Sequence, residues 1–424
     1  MGRKRGIKRG NCTFANMQPL NKNKIINDPV YGFMTVPSAL VHDVIQHPYF
    51  QRLRRIRQLG LSEVVYPGAT HTRFHHALGA LNLMVRAIET LRNKGVQISG
   101  EEAEAAWLGI LLHDVGHGPY SHTLEHTLIE GVSHEYISRL IMHRLNKEFG
   151  GKLELAIRIF KGDYPQKPFL SQLISGQLDM DRLDYLQRDS FYTGVSEGVI
   201  GGDRLINMLN VRDGNLVVEE KGIYSVEKFI VARRLMYWQV YLHKTAIAAD
   251  ELLIAILQRA RHVATNMASL GSYHPLIHFL GKTISAVKFN EESLDLFVLL
   301  DDHDIMTAVK AWQFHEDRVL SILTQAMLNR NLPKIVIQDK PISDNLSSEC
   351  LRKTRHRFPD MQENETGFFV RTGLLENLAY KPQKGGIHIL RKDGTVCDVA
   401  EASDNDNLHS LSEAVTKHFI TYWP

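Results

Sequence analysis

The chain has 424 residues, 44% hydrophobic and 23% charged, with 50 Lys and Arg against 47 Asp and Glu for a formal net charge of +3. This is the composition of an ordinary globular protein, long enough for two or three domains, and it excludes a disordered, collagen-like or membrane-spanning chain. The longest apolar run, Ala105 to Leu112, is interrupted by Gly109 and is too short to cross a bilayer. Three scattered cysteines, Cys12, Cys350 and Cys397, give neither a disulfide framework nor a thiolate metal site, which points to a reducing cytoplasm.

Residues 1–20 read as a basic tail with Arg3, Lys4, Arg5, Lys8 and Arg9 and no apolar stretch of a secretion signal; the run suits solvent or an acidic surface such as nucleic acid. Asn27-Asp28-Pro29 and Val36-Pro37-Ser38 read as turns, with Ser38 as the N-cap of a helix entering Val41 to Ile45. Arg73 to Lys94 sets Ala77, Leu78, Leu81, Val85 and Ile88 on one helical face and stops at Gly95. Ser99-Gly100-Glu101-Glu102 has the spacing of a capping box and opens a buried helix running through Trp107 and Leu112 into His113. Helical periodicity continues over Ser133–Phe149, Phe169–Arg188, Ser225–His262 and Asp304–Asn329. Two hairpins are predicted, Leu209–Ile223 around Asp213-Gly214 and Ile387–Val399 around Asp393-Gly394. After Leu332 the helical period weakens to strand-like pieces, Ile335-Val336-Ile337 and Phe368-Phe369-Val370. The fold class predicted is mainly α, a helical core over residues 21–330 with short antiparallel hairpins, followed by a smaller mixed α/β lobe over 331–424.

Histidine is unevenly spread. Nine of the 21 fall between His71 and His143, where even spacing would give about four. His113-Asp114 closes an apolar helix and meets the turn Val115-Gly116-His117-Gly118-Pro119, so a strongly polar pair sits where burial demands partners. Imidazole and carboxylate together suit Mn, Fe, Zn or Mg. His76, one turn into its helix, and Asp181, which shares a helical face with Tyr185, Arg188 and Asp189, are further ligand candidates. Alone, His113-Asp114 proves nothing, and Asp179, Asp181 and Asp184 would read as a solvated acidic face. The ordered series His76, His113-Asp114, Asp181 lowers both readings.

That series resembles the HD phosphohydrolase superfamily, and within it the deoxynucleoside triphosphate triphosphohydrolase branch that contains the vertebrate SAM-and-HD-domain enzyme; the tail is too short to hold a SAM domain. The matching stretches span roughly residues 22–335 and include Ile26-Asn27-Asp28-Pro29, Gln58-Leu59-Gly60, Pro67-Gly68-Ala69-Thr70-His71-Thr72-Arg73-Phe74, His113-Asp114-Val115-Gly116-His117, His134-Glu135, Asp181-Arg182-Leu183-Asp184-Tyr185 and Tyr241-Leu242-His243-Lys244. The resemblance implies an HD-domain helical core and hydrolysis of a dNTP to deoxynucleoside and tripolyphosphate. It implies a divalent metal held by His76, His113, Asp114 and Asp181. His122 would protonate the leaving 5′-oxygen, oriented by Glu125 where the family usually has aspartate, and His117 and His134 would face the phosphates. Arg73, Arg182 and Arg233 would contact the triphosphate. Tyr185 and Asp189 would hold the sugar, Gln58 would contact sugar or base, and Leu59 and Tyr241 would exclude a ribose hydroxyl; Arg233, Tyr237, Tyr241 and Lys244, at offsets of 4, 8 and 11, share one helical stripe suited to lining a groove. Lys24, Arg54, Arg330 and Lys334 stand where effector-contacting cations would be, in a homodimer or homotetramer activated by a nucleotide. Gln46 replaces the carboxylate that reads guanine there, and His75 replaces an acidic residue beside the first ligand.

Two rival functions remain at this level. One is another HD-type phosphohydrolase acting on nucleoside monophosphates, cyclic nucleotides or guanosine polyphosphates; the arginine set argues for a polyphosphate. The other is a nucleotide-regulated single-stranded nucleic-acid-binding protein, which has no use for an intact ligand and acid set.

Overall fold

The computed structural model describes residues 24–121, 123, 127, 129, 131–264, 274–282, 284, 289–377, 380, 385–404 and 414–424. The basic tail, Cys12, His122 and Glu125 lie outside them.

Capping residues set the helix starts as the sequence predicts. Ser38 accepts from Val41 N at 3.2 Å at the head of Ala39–Gln46, and the reciprocal Ser99–Glu102 bonds open Gly100–Leu112. The helix Arg73–Asn93 is central, packing against both Gly100–Leu112 and Met180–Thr193. Its apolar face, with Ala77, Leu81 and Ile88 almost fully buried, enters one continuous core. Its N-terminus is closed by a box in which Thr72 N donates to His75 Nδ1 at 3.2 Å. The residue that replaces an acid beside His76 thus acts as a helix cap.

Strands are short. β1 (Ile25–Asp28) and β2 (Gly32–Thr35) form a hairpin, as do β3 (Leu209–Arg212) and β4 (Asn215–Glu219), whose turn residues Asp213 and Gly214 take φ of 50° and 78°. Past residue 330, β5 (Lys334–Gln338), β6 (Arg371–Asn377) and β9 (Val415–Tyr422) make an antiparallel sheet in the order β5-β9-β6. β7 (His388–Leu390) and β8 (Val396–Asp398) instead extend the earlier hairpin to β3-β4-β7-β8, with β7 parallel to β4. The C-terminal region therefore shares a sheet with the helical core. The fold is mainly α with small antiparallel and mixed sheets. No helix among the described residues is long and apolar enough to cross a membrane.

Three long helices expected from periodicity are each broken. Phe169–Arg188 becomes Pro168–Gln172 and Met180–Thr193, where Asp179 caps the second by accepting from Arg182 N at 2.7 Å. Ser225–His262 becomes Ile223–Met236, a wide π turn over Tyr237–Tyr241, and Lys244–Val263, which His243 caps through Thr245 N. Asp304–Asn329 becomes Asp302–Trp312 and Arg318–Leu328, the latter capped by Asp317. In each case a local side-chain acceptor outcompetes an apolar period that runs through the break. Phe368-Phe369-Val370 is not extended: Thr366–Phe369 is a helical turn ahead of β6.

Asp250, on the Lys244–Val263 helix, is half-buried and accepts the Thr123 hydroxyl at 2.8 Å. Burial, opposed by that hydrogen bond, pushes its pKa up to about 7. The unfolded carboxyl ionises near pH ~3.9. Between these values the folded chain keeps a proton that the unfolded chain has released, so stability falls as pH rises through the window and levels off above it. Asp250→Asn is expected to flatten that slope and to exceed the parent at pH ~8 by on the order of 1–3 kcal/mol. Denaturant melts at acidic and alkaline pH check this; parallel profiles for the two proteins would rule it out.

Candidate active site

His76, His113, Asp114 and Asp181 come from three helices that meet in the core, the second pair at the C-terminal end of Gly100–Leu112. His76 Nε2 lies 3.3 Å from His113 Nε2 and 3.1 Å from Asp181 Oδ1, and His113 Nε2 lies 3.5 Å from that same oxygen. Asp114 stands alongside, with Oδ1 3.3 Å from His113 Nε2 and Oδ2 3.8 Å from His76 Nε2. The tautomers follow from acceptors on the far side of each ring. His76 Nδ1 donates to Asp184 at 2.7 Å, and His113 Nδ1 donates to the Ile110 carbonyl at 2.6 Å. In their neutral forms both imidazoles therefore aim an Nε2 lone pair at the same point. Two lone pairs cannot satisfy one another, and a cation between them and Asp181 resolves the conflict. Of the described residues, His76, His113 and Asp181 form one group able to hold a metal ion, and Asp114, His117 and His134 form another.

The charges are tightly coupled. Burial disfavours a charged His76, but hydrogen bonds and charge from Asp181 and Asp184 outweigh it and lift its pKa to about 10 in the metal-free protein. Burial likewise opposes ionisation of Asp181, yet His113 and His76 hold its carboxyl well below the usual range. His117 is pushed far down by burial and by Arg73, so its ring is neutral.

The aspartate series is not a solvated face. Asp179 caps its helix, Asp181 faces the histidines, and Asp184 orients His76 while receiving Arg188 at 2.9 and 3.0 Å. Arg188 also donates to Asp28 at 2.8 and 3.3 Å, tying β1 to the back of the site. Gly79 makes room for this assembly: a Cβ there would sit 1.9 Å from Asp184 Oδ1 and 2.2 Å from Arg188 Nη2. Gly79→Ala is therefore expected to cost about 1–3 kcal/mol and to disturb His76. A thermal melt with metal content measured in parallel checks it, and an unchanged melt would contradict the packing argument.

The remaining predicted residues divide. Arg73 pairs with Asp114 and donates to Ser121 Oγ at 2.7 Å, and His117 stacks on His134 with centroids 3.8 Å apart. Tyr241 contacts Tyr185 and Tyr237 edge-on, Arg233 lies over Tyr237, and Asp189 accepts from Tyr241 OH at 2.8 Å. Arg182 and Arg233 act electrostatically on the same tyrosine, Tyr185. Gln58 keeps a buried Oε1 without a partner, while Leu59 is half-buried against the core. The effector candidates are not joined by any hydrogen bond or ion pair among the described residues: Arg54 lies over Phe74, Arg330 donates twice to the Val64 carbonyl, and Lys24 and Lys334 are exposed.

Three structural partners went unassigned by sequence reasoning. His71 donates to Asp189 at 2.7 Å and stacks on Tyr192, Arg52 donates to the carbonyls of Val115, His117 and Leu300, and Asp28 meets Arg188 across 160 residues. His71, Asp28 and Arg52, the last in Phe50-Gln51-Arg52-Leu53-Arg54, all lie in stretches that match the family, and none of those stretches names a partner.

The HD domain profile matches residues 73–189, and the HD associated region matches 200–273. A phosphohydrolase from Bacteroides thetaiotaomicron, known from its crystal structure, is 51% identical and superposes with a TM-score of 0.91, covering 95% of this chain and 100% of that one. The chain belongs to the HD-domain phosphohydrolases. The uncharacterized protein YwfO of Bacillus subtilis is 34% identical over 320 residues, 74% of this chain and 72% of the relative. The deoxynucleoside triphosphate triphosphohydrolase SAMHD1 homolog of Dictyostelium discoideum is 31% identical over 249 residues, 54% of this chain and 48% of the relative. As an HD-domain protein the chain has the donor set for a divalent metal, and the convergent Nε2 lone pairs fit one.

Proposed function

We propose that this HD phosphohydrolase hydrolyses deoxynucleoside triphosphates to deoxynucleoside and tripolyphosphate. The observation that carries this reading is a set of three arginines on the elements that build the site: Arg73 paired with Asp114, Arg182 next in the helix to Asp181, and Arg233 over Tyr237, whose ring meets Tyr241. A monophosphate needs fewer cations. Likeness to the SAMHD1 triphosphohydrolases of Dictyostelium and of Bos taurus, the latter 24% identical over 372 residues, supports the same substrate class.

In this reading His76, His113, Asp114 and Asp181 hold a divalent metal, Mn, Fe, Zn or Mg, which when bound supplies Lewis acidity at the phosphoryl group. Arg73 leans on the α-phosphate, and its fork geometry orients the phosphorus for attack. His117 and His134, stacked and with His117 neutral, offer hydrogen bonds to phosphoryl oxygens as charge develops. His122, which Glu125 would orient, would hand a proton to the leaving 5′-oxygen as a water oxygen bonds to the α-phosphorus and the bond from phosphorus to the 5′-oxygen breaks. Tyr185, Tyr237, Tyr241 and Asp189 hold the sugar, and the Tyr241–Asp189 bond fixes the ring that, with Leu59, excludes a ribose hydroxyl. Gln58, with its unpaired Oε1, meets the sugar or base. Assembly as a homodimer or homotetramer, with a nucleotide effector on Lys24, Arg54, Arg330 and Lys334, belongs to the same reading.

The deciding experiment incubates the protein and manganese with each dNTP and NTP and identifies the product by phosphorus NMR. Tripolyphosphate from dNTPs alone is expected. Orthophosphate or pyrophosphate would reassign the protein to another HD chemistry.

A further inference from the structure

Arg182 borders a second space. Next to it lies a cavity of about 200 Å³ walled by the segment 172–178, by β4 and by the residues leading into β7. Gln172, Ser175, Gln177, Arg182 and His388 supply its polar side chains, and among the described residues no carboxylate lines it. The carboxylate that Arg182 touches is already engaged: Asp179 accepts from Gly176 N at 2.8 Å, from Arg182 N at 2.7 Å and from Arg182 Nε at 3.2 Å. Arg182 Nε also donates to the Gly176 carbonyl at 2.7 Å, which fixes the guanidinium by one edge. No hydrogen bond from its terminal amines to a described residue accompanies these. The Gln177 amide carries a buried Oε1 without a partner, and turning it over would present Nε2 instead.

These features select a ligand class. One fixed cation among polar side chains, with the carboxylate bonded to it already engaged, favours an anion over a cation or an apolar group. The volume accommodates several water-sized groups, more than one tetrahedral anion fills. Arg182 follows Asp181 in the Met180–Thr193 helix, so the cavity it lines adjoins the ion cluster along that helix. We propose that this cavity is a subsite for the far end of a linear polyphosphate, closed on one side by the C-terminal residues Gly385 to His388. The inference rests on the reading of Arg182 as a phosphate-contacting residue, and gives the C-terminal region a part in substrate or product binding.

The test titrates inorganic tripolyphosphate, with orthophosphate as the short-chain control, into the metal-loaded full chain by calorimetry, with metal content measured before and after. Tripolyphosphate is expected to bind at least about tenfold more tightly than orthophosphate. His388→Glu places a carboxylate in the cavity and is expected to weaken tripolyphosphate by about tenfold or more, with metal content and melting temperature unchanged. Ser175→Glu enters from the opposite wall and is expected to do the same, so the proposal stays testable if either variant fails to fold. Equal affinities for the two anions, or tripolyphosphate binding indifferent to both added charges, would overturn it. Binding needs no turnover: a chain that hydrolyses dNTPs but ignores the added charges loses the subsite alone. A chain that hydrolyses none yet shows the charge-dependent binding keeps the subsite and loses the dNTP reading. If the subsite serves the substrate, the same variants raise KM for a dNTP; if it serves only free polyphosphate, they relieve tripolyphosphate inhibition at unchanged KM.

Discussion

Arg188→Leu is expected to destabilise the chain by about 3–5 kcal/mol, the largest stability loss of any single substitution considered for this protein. Arg188 and Asp184 are fully buried and Asp28 is nearly so. The guanidinium satisfies both carboxylates at once, donating through Nε and Nη2 to Asp184 and through Nη1 and Nη2 to Asp28. Burial alone would raise the Asp184 pKa, but Arg188, with His76, holds it low. Leucine would fill the volume and leave two buried anions facing one another, which water cannot reach to solvate. The damage extends to function, because Asp184 is the acceptor that fixes the His76 tautomer; metal affinity is expected to fall roughly 10- to 100-fold in whatever fraction folds. Arg188→Lys keeps the charge without the fork and should fall between. Denaturant melts of the three proteins decide it: a loss under ~1 kcal/mol for Arg188→Leu would mean that this triad carries little of the fold.

The same triad marks where the sequence stops being legible. His76, His113, Asp114 and Asp181 are readable as candidates because their ordered series resembles that of a known family, while no one of them alone announces the close approach that the helices bring about. The partners that make them usable are not readable in this way. Asp184 looks like one more acid on a polar helix face, and nothing local ties it to Arg188 and Asp28, which meet only after β1 docks behind the Arg73–Asn93 helix. Helix starts at Ser38 and Ser99 are legible because a cap is a three-residue event. The breaks at Asp179, His243 and Asp317 use the same physics, but an apolar stripe on either side hides them. His75 is instructive in the other direction: beside a metal ligand it suggests a change in the site's charge, while its bonds to Thr72 assign it to the helix terminus. The pairing of β7 with β4 joins residues more than 150 positions apart, and no periodicity within either strand announces it.

Asp181→Ala is expected to strip the metal and to lower turnover by more than about a hundredfold while leaving the fold intact. The separation of the two effects comes from where the residue sits. Its side chain is 31% exposed, whereas those of His76 and Asp184 are fully buried. Truncation therefore costs the fold less than loss of Arg188: the buried His76 ring loses one carboxylate but keeps Asp184 at 2.7 Å. It does remove the oxygen that stands 3.1 and 3.5 Å from the two Nε2 atoms. What remains, with both rings neutral, is a pair of lone pairs 3.3 Å apart with only Asp114 beside them, and Asp114 is also held by Arg73 and His117. Asp114 cannot make up for the lost oxygen, so the apparent metal affinity should drop. Elemental analysis after dialysis, a melt of the metal-free protein and a turnover assay together decide the role. Loss of metal and activity with an unchanged melt is the expected pattern. Full metal content with lost turnover would move Asp181 from holding the ion to contacting the substrate, and the convergence of the two imidazoles would then need a different occupant.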